Sequence, residues 1–91
     1  MPYTKNNHGR AYVEDYLIPV IRLMKKNVNH TEAFKIVAKN LEVTLQTVND
    51  RCSRGIGLNT QQFVDMVKSG QIKQHLVNKF PDKVDFLSKT L

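Results

Sequence analysis

From Val13 onward the apolar residues of this chain recur three and four positions apart and almost never alternate. That spacing lays a stripe along a helix. It does not suit a strand, whose side chains alternate with a period of two. The stripes are cut short by helix breakers: Pro19, the pair Gly55 and Gly57, Gly70, and Pro81. The pattern predicts an all-α fold, a compact bundle of five to six helices. Helices of about nine residues are marginal alone, so packing must hold them. With 91 residues, 41% of them hydrophobic, the chain suffices for one globular domain with a modest core.

A flexible basic lead is expected at 1–9, because "NNHG" is a loop signal, and a single helical domain at 10–91. Helix one is placed at about 10–26, with a kink or break near Leu17 and Ile18, since Pro19 removes a backbone donor and crowds the preceding turn. Asn29, with Glu32 three residues on, resembles a capping box before helix two at about 30–40. "LEVT" is the turn, and Thr44 caps helix three, which runs to about residue 54 and stops at Gly55 and Gly57. Thr60 opens helix four and Ser69–Gly70 closes it. Helix five carries Ile72, Leu76, Val77 and Phe80. Asp82, after Pro81, favours the start of helix six, which carries Val84, Leu87 and Leu91. No internal repeat is evident.

Fourteen Lys and Arg against eight Asp and Glu give a formal net charge of +6. A compact basic domain of this kind suits a polyphosphate partner, although lysines also serve solubility. Cys52 is the only cysteine, so no internal disulfide and no cysteine-based zinc site can form, and it reads as a small core residue. There is no secretory signal at the start and no run approaching the roughly 20 apolar residues of a membrane span. The expectation is a cytoplasmic protein with no membrane partner. His8, His30 and His75 are scattered, and His75 reads as a surface residue. Tyr12 and Tyr16 are expected to pack against helix two. No triad order, phosphate loop or carboxylate pair supports catalysis, and no cofactor is implied.

The stretch "VAKNLEVTLQTVNDRCSR", residues 37–54, pairs two helices across a short turn. Ala38 is small enough for a close crossing, Leu41 and Val43 bracket the turn, and Leu45, Val48 and Cys52 form an inward stripe. Val37, Ala38, Leu41, Val48 and Cys52 should therefore be buried together. Gln46, Asp50, Ser53 and Arg54 lie opposite that stripe, with Thr47 and Asn49 on the flanks and Arg51 beside Thr47. Gln and Asn can pair bidentately with adenine, and Arg with guanine.

The run "VAKNLEVTLQTV" resembles the helix-turn-helix DNA-binding family, with the motif at about 31–54 and the recognition helix at about 45–54. It departs at Glu42, where the family usually has glycine with positive φ. Either Glu42 adopts that strained conformation or the turn is built differently. The longer block "VAKNLEVTLQTVNDRCSRGIGLNTQQFVDMVKSGQIKQHLVNKFPDK" also resembles small helical modules of bacterial nuclease and restriction-type proteins, which implies a specificity or recruitment module. The expected function is binding of double-stranded DNA through the major groove. Gln46, Asn49 and Arg54 are assigned to base edges, and Thr44, Thr47 and Arg51 to phosphates. Lys35 and Lys39 are assigned to the backbone beside the groove. Asp50 weighs against this: its carboxylate repels phosphate and can simply pair with Arg54 four residues on, leaving a solvated face, unless it accepts from cytosine or orients Arg54 toward guanine. The alternative is a helical protein-interaction module that docks a protein partner through helices within 60–91.

Overall fold

The computed structural model describes residues 12–91, so the basic lead at 1–9 and the expected start of helix one at residue 10 lie outside the described residues. The fold is all-α. Among the described residues six α-helices follow one another: α1 Ile18–Lys25, α2 His30–Leu41, α3 Leu45–Cys52, α4 Thr60–Ser69, α5 Ile72–Lys79 and α6 Val84–Thr90. A π-helical segment, Tyr12–Leu17, leads into α1, and 3-10 turns occupy Arg54–Ile56 and Pro81–Lys83. The break expected near Leu17 and Ile18 takes the form of this π-to-α junction. The chain stays helical through Leu17, and the widened turn lets Pro19 sit in the first turn of α1, where its missing N–H costs nothing.

Three consecutive turns share one construction, which a sequence search for repeats did not reveal. Asn27, Glu42 and Gly57 all have positive φ, at 72°, 59° and 78°. Each is followed by an apolar residue (Val28, Val43, Leu58) whose N–H donates to the carbonyl five residues back. The distances are 3.1 Å to Leu23, 3.0 Å to Ala38 and 3.0 Å to Ser53. Next comes a capping residue, Asn29, Thr44 or Asn59, whose side chain accepts from a backbone N–H of the new helix. The left-handed residue closes one helix, the apolar residue anchors the turn in the core, and the polar residue opens the next helix. Glu42 thus adopts the left-handed conformation where the helix-turn-helix family usually has glycine. The full reciprocal capping box occurs at Asn59 and Gln62. At Asn29 the bond to the Glu32 N–H forms, and the Glu32 carboxylate lies 3.6 Å from Lys35.

Several expectations about element ends are corrected. Helix α3 ends at Cys52, two residues short of Arg54, because Ile56 and Leu58 turn inward and pull the chain off the helical path. Ser53 is buried instead of facing outward, and its hydroxyl donates to the Asn49 carbonyl at 2.7 Å. Leu45, expected in the inward stripe, is 42% exposed. It is the first residue of α3 and lines a surface recess with Phe34 of α2, while Val48 and Cys52 reach the core. Phe80 falls just after α5, and Asp82 lies in a 3-10 turn rather than at the start of α6.

The core collects Val13, Leu17, Val20 and Ile21 with Ala33 and Val37 of α2, Val48 and Cys52 of α3, and Phe63, Ile72, Leu76 and Leu87 of the later helices. Val37, Ala38, Val48 and Cys52 are buried in one cluster, with Leu41 partly buried against it. Burial pushes the Cys52 thiol pKa up, so it packs as a neutral apolar group. Two variants test the crossing by thermal melting. Ala38→Leu should overpack it and cost about 1–3 kcal/mol. Glu42→Gly removes left-handed strain of about 1–2 kcal/mol, partly offset by the greater freedom of glycine in the unfolded chain. It should raise Tm by a few degrees; an unchanged or lower Tm would mean Glu42 is not strained.

Candidate nucleic-acid interface

Helix α3 presents a polar outer side whose geometry begins with its cap. The Thr44 hydroxyl oxygen accepts from the Thr47 N–H at 3.1 Å, and the two threonine hydroxyls share a hydrogen bond at 2.8 Å. Thr44 and Gln46 are exposed and Thr47 is half-buried. Asn49 is also half-buried, and its Oδ1 accepts from the Thr60 hydroxyl at 2.8 Å, which ties α3 to the start of α4. Arg54 has left the helix and stands 77% exposed on the 3-10 turn, with its guanidinium 3.4 Å from Asp50. An exposed pair of this kind contributes little to stability. Lys35 and Lys39 are exposed on α2.

Arg51 is placed differently from the rest. Its guanidinium lies over the rings of Tyr12 and Tyr16, 5.8 and 5.7 Å from their centroids. The Tyr12 hydroxyl in turn donates to the Arg51 carbonyl at 2.6 Å, satisfying an acceptor near the end of α3. The tyrosines therefore pack against α3 and, through a 5.7 Å ring contact, against Phe80, rather than against helix two as the sequence suggested. Gly55 makes this possible. A Cβ there would collide with the Tyr12 hydroxyl. His75 is likewise not a surface residue. Half-buried on α5, it places Nε2 2.7 Å from the Ile56 carbonyl and, as the donor there, pins the 3-10 turn. Its position three residues after Ile72 was the available signal.

The repeated turn brings the first turns of α2, α3 and α4 to one cleft of about 340 Å³. His30, Leu45 and Thr60, each the first residue of its helix, line it together with Phe34, Gln46 and Asn49. Neither α3 nor α4 carries an acidic residue in its first turn. Helix N-termini bear partial positive charge, so the α3 and α4 sides of the cleft favour negative charge, while on the α2 side Glu32 stands in the first turn, 3.6 Å from Lys35. Among the described residues, no three His, Cys, Asp or Glu side chains come together as a metal site requires, and no helix is long and apolar enough to cross a membrane.

No protein-family model, curated protein or solved structure matches the chain.

The interlock at the end of α3 has a pH signature. Burial, more than any nearby charge, raises the Tyr12 pKa from 10.0 to about 12. Above pH 10 the unfolded tyrosine loses its proton while the folded one keeps it, so stability should fall as pH rises from about 10 to 12. Tyr12→Phe should lack much of that alkaline loss and cost about 1 kcal/mol at neutral pH through the lost hydrogen bond. Denaturant melts at pH 7 and pH 11 check both effects. An equal alkaline loss in Tyr12→Phe would refute the assignment.

Proposed function

We propose that this chain binds double-stranded DNA by inserting the N-terminal end of α3 into the major groove. The observation that carries the reading is the α2–turn–α3 unit itself. A left-handed residue at Glu42, a close crossing at Ala38 and a side-chain cap at Thr44 leave Thr44 and Gln46 exposed at the start of a helix that is buried only along Val48 and Cys52. The net charge of +6 supports the same reading, since each phosphate neutralised releases counterions.

In this reading Gln46 meets a base edge, where its amide offers both a donor and an acceptor. Thr44, Thr47, Lys35 and Lys39 hold the flanking phosphates, and Arg54 reaches the strand beyond the end of α3. Asn49 contributes through its NH₂ group while its oxygen stays with Thr60. Arg51 acts mainly by fixing α3 against the tyrosines, with its phosphate role secondary. A DNA partner agrees with a cytoplasmic location.

Docking of a protein through α4 to α6 is less well supported. The exposed apolar residues of α6, Val84 and Phe86, are two positions apart, about 200° around the helix, and so form no continuous patch.

Titration of labelled random duplex at low and moderate salt tests the proposal. Binding should be detectable at low salt and fall steeply as salt rises. Replacing both Lys35 and Lys39 with alanine should weaken all sequences alike and flatten the log–log salt slope by about two units. Gln46→Ala should lose about 1–3 kcal/mol on a preferred site and relax base preference there. Arg51→Ala should lower the melting temperature while changing the salt slope by less than the roughly one unit expected for a lost phosphate contact. No binding to any duplex at low salt would end this reading.

A further inference from the structure

Leu45 is an exposed apolar side chain at the start of α3, beside the polar Thr44, Gln46 and Thr47. A lone exposed leucine needs no explanation. This one stands on the wall of a recess of about 340 Å³, with Phe34 as the second apolar wall. The amide of Gln46, its chain neighbour, lines the same recess, and the Asn49–Thr60 pair adds an amide and a hydroxyl. The edge of the ring of His30 meets that of Phe34 with their centroids 5.7 Å apart and closes the far side. The starts of α3 and α4 at the recess carry no acidic residue and are complementary to negative charge, while the start of α2 carries Glu32, paired with Lys35 at 3.6 Å.

The occupant must therefore offer a small apolar group beside a hydrogen-bonding edge, on a polyanion. In the major groove an A·T pair does this. Thymine projects its 5-methyl group, and adenine presents N7 as acceptor and N6 as donor. A G·C pair has no methyl. We propose that this recess is a subsite for thymine, with Leu45 and Phe34 receiving the 5-methyl group while the Gln46 amide pairs with the adenine edge of the same base pair. The proposal rests on the DNA-binding reading above and adds the chemistry that the face selects. It makes Leu45 a specificity-determining residue.

The test begins with selection from a random duplex library, followed by synthesis of the selected sites with deoxyuridine replacing thymine. That change removes only the methyl group and leaves base pairing intact. The selected sites should contain A·T pairs, and the uridine version should bind the parent chain roughly fourfold more weakly per contacted methyl. Leu45→Ala, checked for folding by circular dichroism, should bind both versions alike, near the affinity of the parent for the uridine site. The subsite is overturned if the parent binds both versions equally, if Leu45→Ala keeps the discrimination, or if selection yields no A·T pair. An apolar side chain of a protein partner filling the recess would give the first of these results. Because uridine alters only the DNA, the parent measurement decides the matter even if the variant fails to fold. Failure to bind any duplex at low salt overturns the DNA reading itself, whereas binding that ignores the methyl overturns this subsite alone.

Discussion

The hydrogen bond from the Val43 N–H to the Ala38 carbonyl, at 3.0 Å, sets the relation of α2 to α3. It forms only because Glu42 turns left-handed, which reverses the chain within one residue and sends Val43 back toward the core. Thr44 can then open α3 at once. The same closure at Asn27–Asn29 and at Gly57–Asn59 gives three helices that start at His30, Leu45 and Thr60, at intervals of fifteen residues. Equal spacing and equal turn geometry place these three starts around one cleft. The three left-handed residues carry different strain. Glycine carries little, asparagine tolerates the conformation, and glutamate has neither advantage. The turn that shapes the proposed reading head is thus the one that costs most to hold.

The parts of this arrangement legible in the sequence were those governed by local rules. Helical spacing marked the elements, Thr44 and Thr60 marked helix starts, and Pro19 marked the junction at Leu17 and Ile18. Ala38, Val48 and Cys52 were legible because a period of 3.6 fixes one face wherever the helix continues. Predictions failed where the helix did not continue. Ser53 and Arg54 were assigned to a helical face, but Ile56 and Leu58 pull the chain inward after Cys52, so angular position no longer predicts direction. Leu45 fits the period yet, as the first residue of α3, lines a surface recess with Phe34 of α2 instead of entering the core. Partners distant in the chain were illegible for a different reason. Nothing local to Arg51 says that the hydroxyl of Tyr12, 39 residues away, will donate to its carbonyl. The repeated turn escaped notice because its left-handed position is filled by Asn, Glu and Gly, residues that share a conformation and little else.

Arg51 shows how a basic side chain can serve the proposed binding face without standing on it. Its guanidinium over two rings and its carbonyl under the Tyr12 hydroxyl tie the C-terminal end of α3 to the π segment. The Asn49–Thr60 bond ties the middle of α3 to α4, and the Val43 bond holds its start. An eight-residue helix has little stability of its own. Three anchors along its length fix its orientation, so the proposed binding would cost less conformational freedom. With Arg51 committed to packing, the proposed attraction for phosphate rests on the exposed Lys35, Lys39 and Arg54, of which Lys35 and Arg54 are partly offset by Glu32 and Asp50.

Asp50 constrains how such a helix could approach a polyanion. It lies in the last turn of α3, close to the negative end of the helix dipole, and only Arg54 at 3.4 Å offsets it. Gln46 lies one turn earlier, about 6 Å along the axis, where the dipole is positive and no acidic side chain stands in the first turn. The two ends of α3 therefore differ in sign, and the difference is built into eight residues. A partner lying flat along the helix would bring phosphates against Asp50. A partner that meets the helix end-on at Thr44 and Gln46 would meet the positive end, the Leu45 recess and the neighbouring starts of α2 and α4. The proposed insertion, N-terminal end first, avoids Asp50; the charges that work against it are the exposed Glu42 of the turn and Glu32 in the first turn of α2, the latter offset by Lys35 at 3.6 Å.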